Sequence, residues 1–162
     1  MSQAKTITPD ELERLNRRLG RTRNALRNQT MLHLMHWAGM RVGEVAALRI
    51  KDLINRDGTL KTEIHLGAAQ TKGNQSRTVV LPKKLQDALS RYTATIWTTN
   101  LERALFVSTR TTQGFTANSL GNLVKSFYVS AGIDNGSSHS GRRTFITTLA
   151  QKGVTGLRQL DA

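Results

Sequence analysis

The sequence predicts a mainly helical α+β chain with one small antiparallel sheet. Three observations carry this. Apolar residues recur at helical spacing in several separate stretches. One stretch alternates apolar and polar residues as a half-buried strand does. A Lys72-Gly73-Asn74 turn follows it, before a second β-prone run. No internal repeat or low-complexity linker interrupts the 162 residues, which read as one domain.

The elements follow in order. Thr8-Pro9-Asp10-Glu11 is a cap-like helix start with proline in the first turn; Leu12, Leu15 and Leu19 share a face, and Gly20 ends the run. Met31, Leu34, Met35 and Ala38 form the stripe of a second helix, which Gly39 can end in the left-handed conformation. Val42, Val45 and Ala46 suit a short third helix. Leu60, Thr62, Ile64 and Leu66 alternate with polar neighbours as a strand. Residues 77–81 make its partner, with Lys72-Gly73-Asn74 at the hairpin tip and Pro82 ending the sheet. Leu85, Ala88, Leu89, Tyr92 and Ile96 predict another helix, and residues 104–107 a short strand or an extended link. Leu120, Leu123, Val124, Phe127, Tyr128 and Ala131 form the cleanest stripe, residues 132–138 a polar loop, and residues 139–152 a last helix with Gly153 as its cap.

Composition narrows the function classes. Lys and Arg number 24 against 11 Asp and Glu, a formal net charge of +13. Such an excess repels itself unless a polyanion neutralises it, so nucleic acid is the expected partner. No basic stretch carries the broad apolar face that a membrane surface requires. No apolar run approaches the roughly 20 residues of a spanning helix, and no signal-peptide core follows Met1. The absence of cysteine excludes disulfide and thiolate chemistry. The expectation is a cytoplasmic, nucleoid-associated protein. Aromatic residues make up only 5% of the chain and sit mostly on core stripes, which disfavours single-stranded RNA.

Four residues have the chemistry to hold and cut a phosphodiester. Arginine donates two hydrogen bonds at fixed charge to phosphoryl oxygens. Arg41 stands between a helix terminator and the next helix start, so backbone on both sides fixes its direction. Arg142 lies one helical turn after His139 and shares its face; Arg143, at the next position, shares it too, and spacing leaves the choice open. Lys72, at a hairpin tip, can reach over a bound backbone and protonate a leaving oxygen. Glu44, one turn beyond Arg41, can orient a nearby basic side chain. Taken singly, each reads as ordinary surface charge. Their order and spacing together point to one site.

Other candidates are weaker. His33 and His36, one turn apart, have the spacing of a zinc pair but lack a third ligand nearby, so a packing role is preferred. No glycine-rich nucleotide loop and no acidic cluster for magnesium is present, so neither cofactor nor metal is expected. The arginines of residues 14–27 suit either DNA phosphates or a solvated face. Tyr92 and Tyr128 fall on core stripes.

These segments resemble the catalytic domain of the tyrosine recombinases, the phage-integrase family. Gly39, Arg41 and Glu44 match its Gly-x-Arg-x-x-Glu segment, followed by Ala47-Leu48-Arg49-Ile50-Lys51-Asp52. Thr71-Lys72-Gly73, Arg77 and Val79-Val80-Leu81-Pro82 match its hairpin lysine segment. His139, Arg142, Thr144-Phe145 and Gly153 match its His-x-x-Arg box, with Ser140-Gly141 in place of the more usual inner pair. The resemblance runs from about Thr8 to Gly153. It implies metal-free, site-specific DNA cleavage and rejoining through a 3′-phosphotyrosyl link. Arg41 and Arg142 would hold the phosphoryl oxygens, Lys72 would be the general acid, and His139 would assist proton transfer.

The family pattern continues to a Gly-His box and a nucleophilic tyrosine, and residues 153–162 match neither. The expectation is therefore a single catalytic-type domain over 1–162, incomplete at its C-terminus, without an N-terminal core-binding domain, and inactive unless a tyrosine is supplied. A homo-oligomer or a full-length recombinase on DNA is the expected protein partner. The alternative is a non-catalytic DNA-binding module that occupies or regulates recombination sites.

Overall fold

The computed structural model describes residues 3–153. Among them the helices are α1 (Pro9–Leu19), α2 (Ala25–Ala38), α3 (Val42–Ala47), α4 (Ile50–Leu53), α5 (Lys83–Thr93), α6 (Ala117–Ser130) and α7 (Ser140–Gln151). Strands β1 (Glu63–Leu66) and β2 (Arg77–Val80) form the sheet. The chain is mainly helical with one small antiparallel sheet, as its patterning predicts.

α2 is the axis of the molecule. It packs against α1, α3, α5 and α7, and almost every residue from Asn28 to Ala38 is buried. A helix surrounded on all sides must be apolar all round. That is why Leu32, His33 and His36 join the Met31, Leu34, Met35 and Ala38 stripe in the interior. α1 begins with reciprocal caps: Thr8 Oγ1 accepts from Glu11 N at 3.1 Å, and Glu11 Oε1 accepts from Thr8 N at 3.0 Å. The Thr8 backbone bond is the main reason that the Glu11 carboxyl titrates below its usual range. α6 starts the same way, with Thr116 accepting from Ser119 N at 3.0 Å.

In the sheet, Glu63 pairs with Val80 and Leu66 with Arg77. The pleat sends Ile64, Leu66 and Val79 inward and Glu63, His65 and Val80 outward. Gly73 (φ 89°) and Asn74 (φ 58°) turn the hairpin in the left-handed region, which glycine and asparagine tolerate best. A 3₁₀ turn at Ala68–Gln70 precedes the tip.

Four details depart from the periodic reading. β1 starts at Glu63 because Leu60 pairs instead with Ile54 through an isolated bridge. α5 ends at Thr93, so Ile96 packs on the core from beyond the helix. Residues 104–107 are an extended link, not a strand: Ala104 bridges Arg49, and Val107 bridges Gly114. α4 has no periodic signal, since four residues are too few to show one; Arg49 N donates to Asp52 Oδ2 at 2.8 Å to start it. The expected absence of a Gly-His box and tyrosine concerns residues 154–162, which lie outside the described residues.

Candidate active site

The site is built where α2 ends. Gly39 takes φ 67° and its N–H caps Leu34 O, which turns the chain sharply into α3. A Cβ at Gly39 would stand 2.3 Å from the Phe145 ring of α7, so the turn needs glycine for space as well as for φ. Arg41 follows as the N-cap of α3. Its N–H donates to Glu44 Oε1 at 2.9 Å, and its Nη1 stands 3.6 Å from Glu44 Oε2. The Arg41 side chain is 38% exposed, so it leans on Glu44 and still faces solvent.

Glu44 is 2% exposed, and a charge so buried must be paired. Its second partner is Arg77 on β2, whose Nε donates to Oε2 at 3.2 Å and whose Nη2 donates to Oε1. The expected orienting role of Glu44 thus involves two arginines. It clamps the hairpin stem to α3 and also pairs with Arg41 at the start of that helix. Sequence spacing alone places Arg77 only in the hairpin segment and gives it no partner. The available signal was Glu44 itself, an acid within an otherwise apolar helix that needed a cation from elsewhere.

The stem so fixed aims Lys72. Thr71 Oγ1 donates to Gln75 O across the loop, and Gln70 Oε1 accepts from Gly67 N at 2.9 Å. These bonds brace both ends of the tip and leave Lys72 exposed.

α7 supplies the remaining groups. His139 is its N-cap and is exposed; Ser140 and Gly141 are buried behind it. A Cβ on Gly141 would stand 2.8 Å from Met35 Cβ, so glycine lets α7 press directly on α2. That contact explains the small Ser140-Gly141 pair inside the box. Arg142 Nη1 donates to Gly39 O at 2.7 Å, satisfying a carbonyl at the C-terminal end of α2, where positive charge is also favourable. Arg143 points elsewhere: its Nη2 donates to Gln3 Oε1 in the N-terminal segment. Arg142 thus stands at the α2–α3 corner, and Arg143 points away from it.

Arg41, Glu44, Lys72 and His139 line one cleft of about 370 Å³, with Gly43, Ala47 and residues 69–71 completing its wall. Arg142 stands beside it through Gly39, two residues before Arg41.

Residues 5–158 match the sequence pattern of the phage integrase family. The chain belongs to that family. It is 30% identical over 160 residues to the tyrosine recombinase XerD of Oceanobacillus iheyensis, covering 91% of this chain and 49% of that protein. Its fold matches the crystal structure of XerA recombinase with a TM-score of 0.74 at 24% identity, covering 94% of this chain and 53% of the other. It also matches the Tn1549 transposon integrase, solved in complex with a circular intermediate DNA, with a TM-score of 0.73 at 16% identity over 98% of this chain and 57% of that one. The chain thus spans about half the length of the relatives it matches.

The tyrosines and buried histidines are occupied in packing. Tyr92 OH donates to Leu105 O at 2.8 Å, and burial pushes its hydroxyl up to about 12. Tyr128 OH meets His36 Nε2 at 2.9 Å, and burial raises that hydroxyl further still. Burial, with a smaller contribution from His33, lowers His36 to about 3. His33 stacks on Trp37 with centroids 3.7 Å apart; burial first, then Lys84 and Arg91, lowers it to about 4. Thr144 and Ser140 also have structural partners: Thr144 Oγ1 accepts from Ile7 N at 2.8 Å, and Ser140 Oγ from Ser137 N at 3.0 Å. Among the described residues no helix is long and apolar enough to cross a membrane.

Proposed function

We propose that this chain is the phosphate-gripping part of a site-specific tyrosine recombinase, acting on double-stranded DNA. The single observation that supports it most is the shared cleft of Arg41, Glu44, Lys72 and His139 with Arg142 bound beside it. A scissile phosphate seated there gains charge on its non-bridging oxygens as it is attacked. Arg41 and Arg142 hold those oxygens, and such preorganised donors act most strongly where charge develops. Glu44 keeps Arg41 in one geometry, so little is reorganised at the moment of reaction. In the step itself a tyrosyl oxygen bonds to phosphorus and the phosphorus–O5′ bond breaks. Lys72 gives its proton to the departing 5′-oxygen, and the tyrosine proton leaves by way of His139. The product is a 3′-phosphotyrosyl link, which a different 5′-hydroxyl can displace to rejoin the strand.

Neither tyrosine of the 162 residues suits the attack. Both are buried, hydrogen-bonded and raised in pKa, which disfavours the phenolate. The attacking hydroxyl therefore comes from another polypeptide or from sequence outside these residues.

A nicked suicide duplex, selected by binding from a random pool, tests this in the presence of a metal chelator. The 162-residue chain alone gives no covalent adduct. Adding a polypeptide with the family's tyrosine-bearing segment gives one, and Arg142→Ala or Lys72→Ala abolishes it. An adduct on Tyr92 or Tyr128, or complemented activity indifferent to Arg41→Ala and Arg142→Ala, contradicts the assignment. Duplex binding by the complemented protein without any adduct favours the non-catalytic module.

A further inference from the structure

We infer that the arginines at the end of α1 form a second DNA-backbone site, which holds the duplex flanking the scissile phosphate. This rests on the DNA reading above and adds a surface that the cleavage chemistry does not use. Arg14, Arg17, Arg18 and Arg21 are all exposed and line one cleft of about 280 Å³ against Ser130 and Ala131 at the end of α6. Arg14 Nε donates to Ala131 O at 3.1 Å, which anchors the cluster on α6. Arg17 pairs with Glu13 at 2.8 Å, while among the described residues Arg18 and Arg21 carry no ion pair. Cations favour a helix C-terminus, but one or two satisfy that preference. With only Arg17 in an ion pair among the described residues, the other three guanidinium groups in the cleft repel one another until an anion neutralises them.

Position identifies the anion. The other end of α6 borders the candidate active site, where a Cβ on Gly43 would lie 3.5 Å from Ala117 Cβ. A third cleft, of about 960 Å³, lies between the two and is lined by Lys5, Lys125 and His139, with Asp134 as its acid. His139 is shared with the active-site cleft, and Val129 adjoins Ser130 of the arginine cleft. Basic groups therefore follow α6 from the scissile position to the arginines. A 14-residue helix spans roughly 20 Å, about six nucleotides of duplex axis at ~3.4 Å each. A regular polyanion of that length fits this line better than an acidic patch on a protein.

The test measures duplex affinity against salt for the full chain, Arg18→Gln/Arg21→Gln and Arg18→Lys/Arg21→Lys. Losing two phosphate contacts lowers the slope of log affinity against log salt by about 1.8, so between 50 and 200 mM salt the wild type loses roughly 12-fold more affinity than the glutamine variant. The lysine variant, which keeps the charge, retains the wild-type slope. Ethylating single phosphates about six nucleotides from the cleavage point weakens the wild type and leaves the glutamine variant unaffected. An unchanged slope in the glutamine variant overturns the inference even when the wild type binds DNA steeply. A wild type without salt-dependent duplex binding fails the DNA reading itself.

Discussion

Replacing Glu44 with glutamine removes one charge where two arginines converge. Glu44 is 2% exposed and the Arg77 side chain 9% exposed, so little water is available to replace what is lost. The glutamine carbonyl can still take one donor, but its amide hydrogens then face a guanidinium. Arg77 Nη1 already lies buried without a hydrogen-bond partner, and the substitution would strand more of the same group. Breaking a buried pair by removing one partner costs about 3–5 kcal/mol, and the bond to Arg41 N survives, so the expected loss is about 3 kcal/mol. For a chain of this size that lowers Tm by roughly 6–12 °C. Urea unfolding followed by circular dichroism reads the loss directly. Glu44→Leu combined with Arg77→Leu should unfold later than either single variant, because a matched apolar pair removes the stranded charge. Glu44→Gln within about 0.5 kcal/mol of wild type, or additive losses in that cycle, would refute the clamp.

The remaining predictions concern acid stability, the α2 turn and the tyrosines. His33 and His36 titrate near 4 and 3 when folded, below the unfolded value of about 6.5. The unfolded chain therefore takes up protons first as pH falls, and stability present above pH 6.5 is lost toward pH 4 at about 1.4 kcal/mol per unit for each histidine. Unfolding of His36→Gln across that range should show a slope shallower by one proton; an unchanged slope would show that other groups dominate. Gly39→Ala places a methyl group into the Phe145 ring at φ 67° and should cost about 2–4 kcal/mol, from overpacking and the left-handed strain together. It should also weaken duplex binding through Arg41 and Arg142, and an alanine variant with wild-type Tm and affinity would contradict the turn's role. Tyr128→Phe leaves His36 Nε2 without its partner and should cost about 1–3 kcal/mol. With Tyr92→Phe, it should leave adduct formation by the complemented protein intact at temperatures where both fold; loss of the adduct would mark a tyrosine as nucleophile.

How far the sequence reached differs from element to element. Helices of 11–14 residues show two or more turns of pattern, and each is legible: α1, α5, α6 and α7 start within three residues of their signals, while α2 starts at Ala25, well before its Met31 stripe. α4 has four residues and no pattern, and Leu60 could not announce that it bridges Ile54. The left-handed turns at Gly39, Gly73 and Asn74 were readable because few residue types accept that backbone. The packing role expected of His33 and His36 holds, although their burial has a cause that no spacing shows, neighbours on every side of α2.

By itself the sequence determined which groups are present and their local directions: an arginine after a helix terminator, a lysine on a turn, and a histidine one helical turn before an arginine. These are short-range properties, fixed by φ, cap chemistry and helical pitch. Only the tertiary structure decided that Arg142, not Arg143, reaches the Gly39 carbonyl, that Glu44 is shared between Arg41 and Arg77, and that α6 runs from the candidate site to the α1 arginines. Such pairings depend on how α7, β2 and α1 pack against α2, α3 and α6. Contacts between residues far apart in the chain are set by shape and burial, which leave no fixed spacing in the sequence.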